Sequence, residues 1–149
     1  MEIKITEIAK EQSELLEIHC HTVTDEVREI VTFVKSRQGH LTGMIEGTQY
    51  EVPFSDIFYI EAVDNKCFLY SRKKVYESRQ KLYELEEELQ SRHFLRISKS
   101  MLINLMTIRS IRPALNGRMT AVLQTDEQVI ISRKYVPELK KALKGGGIS

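Results

Sequence analysis

Apolar residues recur along this chain at two different periods, and the switches between them mark out the elements. Leu15-Leu16-Glu17-Ile18-His19-Cys20-His21 alternates as a half-buried strand would. Thr22 and Thr24 then offer N-caps to a segment with Val27, Ile30, Val31 and Val34 at helical spacing, ended by Gln38-Gly39. Short strands are predicted at Leu41 to Glu46 and Gln49 to Val52, turning at Gly47-Thr48. After Pro53, the β-formers of Asp56 to Ala62 and Cys67 to Tyr70 flank Asp64-Asn65, a turn pair, and predict a hairpin. Ser78 is expected to cap a helix from Arg79 to Gln90. Leu82, Leu85 and Leu89 form its apolar stripe, and Glu84, Glu86, Glu87 and Glu88 its wet face.

Beyond Arg92 the pattern favours strands again. Phe94 to Ile97 reads as one, and Ser98 to Asn104 as a capped short helical turn. Thr107 to Leu115 and Arg118 to Gln124 are joined by Asn116-Gly117, which tolerates positive φ and is the strongest hairpin signal in the chain. Thr125-Asp126-Glu127 turns into Val129-Ile130-Ile131, and Ser132 is expected to cap a final basic helix through Leu143. The expectation is a mainly β (α+β) chain with three parts. These are an acidic strand and helix segment over 1–48, a domain over 49–144 and a flexible tail over 145–149.

Charge sharpens this division. Residues 1–60 hold 5 Lys/Arg against 11 Asp/Glu, whereas from Arg92 onward the count is 11 against 3. A basic C-terminal half within an ordinary composition points to a polyanion surface, nucleic acid foremost. Its bland counterpart is a solvated basic face that balances the acidic front. No run of about 18 apolar residues is present, and Met1 to Lys10 has neither the basic start nor the apolar core of a signal peptide. A cytoplasmic location is expected.

Other chemistry finds little footing. His19 and His21 share a strand face without a third ligand nearby, so they read as structural and no metal is expected. Cys20 and Cys67 match neither a zinc spacing nor a disulfide framework and are expected to be reduced. Cys67 lacks a base and an orienting group for nucleophilic catalysis. There is no Gly-rich phosphate loop. Neither a cofactor nor an enzymatic activity is expected.

From about Tyr50 to Leu143 the chain resembles the LytTR family of DNA-binding domains. Pro53-x-x-Asp56-Ile57-x-Tyr59-Ile60-Glu61-Ala62 is similar to that family's opening strand, and Leu82-x-x-Leu85-Glu86-x-x-Leu89 to its helix. Phe94-x-Arg96-Ile97-Ser98-Lys99-Ser100-Met101-Leu102-Ile103-Asn104-Leu105 resembles its most diagnostic stretch, commonly a His-Arg-Ser-x-x-Val-Asn pattern. Ile131-Ser132-Arg133-Lys134-Tyr135 resembles its closing element. Two departures stand out: Ser98 where His is frequent, and Lys99 where Arg is. Arg grips guanine in a planar fork while Lys acts as a point charge, so base preference is expected to differ.

The resemblance implies a bacterial transcription regulator that lays loops of a β-fold into successive major grooves of double-stranded DNA. Carried over position by position, the contacts would be Asn65, Lys66 and Cys67, then Ser98 and Lys99, then Ser132, Arg133 and Lys134. Asn65 and Lys66 are also ordinary turn residues, Ser98 and Ser132 ordinary caps, and the cations ordinary solvated charges. Many relatives carry a phosphoacceptor receiver domain ahead of the DNA reader, and the first 45 residues here are too few to hold one. The acidic front is expected instead to support a homodimer or to bind a regulatory protein. The competing reading is a protein-interaction module that docks an acidic partner through the basic C-terminal surface. Single-stranded nucleic acid is disfavoured, because only Phe94 and Tyr135 are aromatic from Arg92 onward, too few for a stacking platform.

Overall fold

A computed structural model describes residues 1–37 and 39–144. In chain order the elements are α1 (Asp25–Arg37), β1 (His40–Ile45), β2 (Thr48–Pro53), β3 (Ile57–Val63), β4 (Lys66–Ser71), β5 (Val75–Ser78) and α2 (Leu82–Glu88). They continue as β6 (Phe94–Ser98), β7 (Met101–Asn104), β8 (Ile108–Pro113), β9 (Met119–Leu123), β10 (Gln128–Ile131) and α3 (Val136–Ala142). The first seven strands form one sheet in the order β2-β1-β5-β4-β3-β7-β6, and the last three a second in the order β10-β9-β8. Every pairing is antiparallel.

The chain is therefore mainly β, as its short alternating runs predict. β3 is an interior strand, paired with β4 and β7, with Ile57 through Ile60 all buried, because the large sheet is covered on both faces. On one face α2 lays Leu82, Leu85 and Leu89 against Leu41, Ile60, Leu69 and Leu102. On the other, the three-stranded sheet and α3 pack Leu123, Ile131 and Leu139 against Tyr59, Ile97 and Ile103. Neighbours Leu102 and Ile103 enter opposite cores, as the two-residue period of a strand requires. Gly43 sits where β1 meets β5: a Cβ there would lie 2.5 Å from Tyr76 Cβ, so only glycine allows the approach.

Several local expectations are corrected. Leu15 to His21 forms no strand; it has no partner to pair with, and Leu15 and Leu16 are exposed. Met101–Asn104 is a strand, not a helical turn, because it pairs with both β3 and β6. β5 was not foreseen. Ser78 ends β5, and its hydroxyl accepts from Gln80 N at 3.1 Å; α2 starts later, where the Glu84 carboxylate accepts from Lys81 N at 2.8 Å. The Ser132 side chain caps no helix, and a 3-10 turn over Arg133–Tyr135 precedes α3. Thr24 does cap α1, its hydroxyl accepting from Val27 N at 3.3 Å. The large sheet runs across position 48, since β1 pairs with β2 along its whole length. Gln38 and the tail over 145–149 lie outside the described residues. Among the described residues no helix is long and apolar enough to cross a membrane.

Candidate nucleic-acid interface

Antiparallel order brings three separated sequence segments to one end of the large sheet. β3 runs into the Asp64-Asn65 turn, whose residues both have positive φ (51° and 66°), the geometry of a tight two-residue hairpin. Its neighbour β7 runs the opposite way, so the β6–β7 turn at Lys99-Ser100 lies beside it. A backbone hydrogen bond from Ala62 N to Ser100 O, 2.8 Å, joins the two. A second, from Ser132 N to Ile97 O at 2.8 Å, docks the Ser132 to Lys134 segment onto the end of β6. Gly117, in the β8–β9 loop, completes the row: a Cβ on it would lie 2.9 Å from Arg133 Cδ.

The expected contact residues are thus gathered, with one exception. Asn65, Lys66, Lys99, Arg133 and Lys134 are exposed, and Ser98 and Ser132 are half-buried. Ser98 Oγ accepts from Ser100 N at 3.2 Å and shapes its own turn. Cys67 is different. It is 3% exposed and packed among Leu69, Leu82 and Leu85, and burial pushes its thiol pKa up, so it fills the core instead of facing a ligand. The alternation of β4 explains this, since Lys66 and Cys67 point to opposite faces.

The exposed cations do not stand alike. Lys66 Nζ lies 3.8 Å from a Glu77 carboxylate oxygen, a solvent-screened pair. Lys134 Nζ sits 5.7 Å from the centre of the Tyr135 ring. Two further residues shape the edge. Lys81 Nζ donates to Asn65 O at 3.2 Å. The Arg96 guanidinium donates to Lys99 O at 2.6 Å and to Glu86 Oε1 at 2.9 Å, clamping the β6–β7 turn to α2. The Lys81–Asn65 and Arg96–Glu86 contacts have no local signal, because their partners lie 16 and 10 residues apart. Asn104, the last residue of the diagnostic stretch, is 3% exposed and takes no part in the edge. Its amide donates to Ile57 O at 2.9 Å and its Oδ1 accepts from Met106 N at 3.0 Å, pinning the start of β3.

Comparison with known proteins settles the family. The family model of the LytTr DNA-binding domain matches residues 47–144. The chain belongs to this family. A solved LytTr DNA-binding domain from Bacillus cereus superposes with a TM-score of 0.67 at 26% identity, over 70% of this chain and 96% of that one. An uncharacterized HTH-type transcriptional regulator of Staphylococcus aureus (strain bovine RF122 / ET3-1) is 27% identical over 137 residues, 91% of this chain and 92% of its own length. The sensory transduction protein LytT of Bacillus cereus is 31% identical over 100 residues, 67% of this chain and 41% of its own.

As a LytTr domain, residues 47–144 bind DNA and belong to a non-catalytic family. The helix-turn-helix label of the Staphylococcus relative has no counterpart among the described residues here. α1 leads into β1, α2 into β6, and α3 follows a strand and a 3-10 turn.

Proposed function

We propose that the chain is a cytoplasmic, sequence-specific regulator of transcription that reads double-stranded DNA with the turn-built edge of its large sheet. Asn65 and Lys66, Ser98 and Lys99, and Ser132, Arg133 and Lys134 supply the contacts, and the segments enter successive major grooves on one face of the duplex. Cys67 is left out because its side chain is in the core. One observation carries the reading: two backbone hydrogen bonds, Ala62 N to Ser100 O and Ser132 N to Ile97 O, hold three cation-bearing segments in one row. Exposed turn side chains reach phosphates and base edges with little loss of freedom, because their backbones are already fixed. The relatives named as transcriptional regulators support the same use.

Footprinting on the DNA upstream of the chain's own gene, with excess competitor DNA, tests it. The expected result is protection in two patches about 10 base pairs apart on one face of the helix. Binding that competitor DNA removes as easily as a matched site would overturn the sequence-specific reading.

The acidic front serves homodimerisation in this proposal, supported by the apolar face of α1 at Ile30, Val31 and Val34, none of them fully buried. A regulatory protein is the other candidate for that surface. A chain beginning at Gly39 keeps β1, and with it buried Leu41, in the sheet. It is expected to sediment as a monomer at concentrations where the full chain is a dimer. An unchanged oligomeric state would remove the role.

A further inference from the structure

At the end of the large sheet opposite the DNA edge, a cleft of about 940 Å³ opens between the β4–β5 turn, the segment before β3 and the start of β6. β4 separates the two ends, running from Lys66 at the edge to Ser71 at the cleft, roughly 17 Å at about 3.4 Å per residue. The cleft carries Arg72, Lys73, Lys74 and Arg92 but only two carboxylates, Glu14 and Asp56. Among the described residues, Arg72, Lys73 and Arg92 form no salt bridge.

The two arginines are also held in place. The Arg72 guanidinium lies 5.4 Å from the centre of the Phe58 ring and that of Arg92 5.5 Å from Phe54. A guanidinium laid on an aromatic ring has much of its rotamer freedom already removed, while its N–H edges stay available to grip an oxyanion in bidentate fashion. Lys73, exposed at the turn tip, adds a mobile point charge. Clustered cations repel one another, and a bound anion relieves that repulsion.

We propose that this cleft is a binding site for a small, multiply charged oxyanion, gripped by Arg72 and Arg92 and capped by Lys73, separate from the DNA surface. The shared chemistry is a compact polyanion, of either phosphate or carboxylate type. Pyrophosphate and citrate, titrated calorimetrically into the full chain at fixed ionic strength, distinguish these sources. Saturable binding of either probe at one site per chain is expected, weakened at least tenfold in an Arg72→Gln/Arg92→Gln protein and several-fold in Lys73→Gln. Lys73 is exposed, so its variant keeps the test valid should the double variant fold poorly. Lys99→Ala and Lys134→Ala are expected to bind the probe as the unaltered chain does. Absence of saturable binding by both probes would overturn the proposal. Binding lost in Lys99→Ala or Lys134→Ala but kept in the cleft variants would assign the anion to the DNA edge instead. Because those two variants report on the DNA edge separately, failure of the cleft leaves the DNA reading standing.

Discussion

The Tyr59 hydroxyl donates a 2.6 Å hydrogen bond to a Glu127 carboxylate oxygen, tying β3 of the large sheet to the β9–β10 turn of the small one. The Tyr59 ring also stacks on Tyr70, centres 4.4 Å apart. Burial, and then the Glu127 carboxylate, push the Tyr59 phenol well above its ordinary range. A raised folded-state pKa means the contribution is whole below about pH 10, where the unfolded chain also keeps its proton, and is lost as pH rises past that value. Tyr59→Phe is expected to lower stability by about 2 kcal/mol at neutral pH. It should also remove part of the alkaline decline that sets in above about pH 10. Urea unfolding at neutral pH and across that decline checks both. A variant as stable as the parent at pH 7 would mean the bond contributes nothing.

The two cysteines should separate cleanly in thiol labelling. Cys20 is exposed and Cys67 is in the core with its thiol pKa raised by burial. A disulfide reagent at pH 8 is expected to modify one thiol rapidly in the folded chain and the second only on unfolding. Cys67→Ser should lower stability by about 1–3 kcal/mol, through a buried hydroxyl, and leave intrinsic DNA affinity unchanged. Rapid labelling of Cys67, blocked by DNA, would restore it to the contact surface.

Gly117 links folding to the edge. Its φ is +75°, a conformation that side chains other than glycine rarely adopt, and any Cβ would displace the Arg133 side chain. Gly117→Ala is expected to lower stability by about 1 kcal/mol and to weaken DNA binding as well. The second effect should vanish in an Arg133→Ala background. A binding loss of equal size in that background would mean that the loop, not Arg133, meets the DNA.

Lys99 and Lys134 are expected to divide recognition between them. A lysine that only neutralises phosphate adds a sequence-independent, salt-dependent contribution. Lys99→Ala should therefore reduce the slope of log affinity against log salt by roughly 0.9 and weaken all sequences alike. Lys134, beside Arg133, is assigned to base reading. Its removal should lower operator affinity by about 1–3 kcal/mol and relax preference at one base pair. Titrations against operator and scrambled duplexes at several salt concentrations check both. Equal losses on both duplexes in Lys134→Ala would cancel its assignment.

Strong local periodicity made most of the fold legible. The β3–β4 hairpin was readable from β-formers around Asp64-Asn65, and the leucine stripe of α2 from its spacing. What escaped was set by tertiary pairing. β5 is half polar, with Glu77 and Ser78 in a four-residue strand, and exists because β4 and β1 flank it. Met101–Asn104 follows a Ser-Lys-Ser run that suits a helix start, yet pairing on both sides makes it a strand. Leu15 to His21 alternates well but has no strand beside it. At the edge, family resemblance located the turns, but it could not separate Lys66 from Cys67, whose side chains part to opposite faces. Lys81 and Glu86 reach the edge only through folding.

The tethers that assemble the edge run from main chain to main chain, so they do not depend on which side chains the turns display. Lys99 and Lys134 can be exchanged without loosening Ala62 from Ser100 or Ser132 from Ile97. The sheet end behaves as a socket with replaceable teeth. Operator preference in such a scaffold can drift by single substitutions while the core that carries it stays untouched.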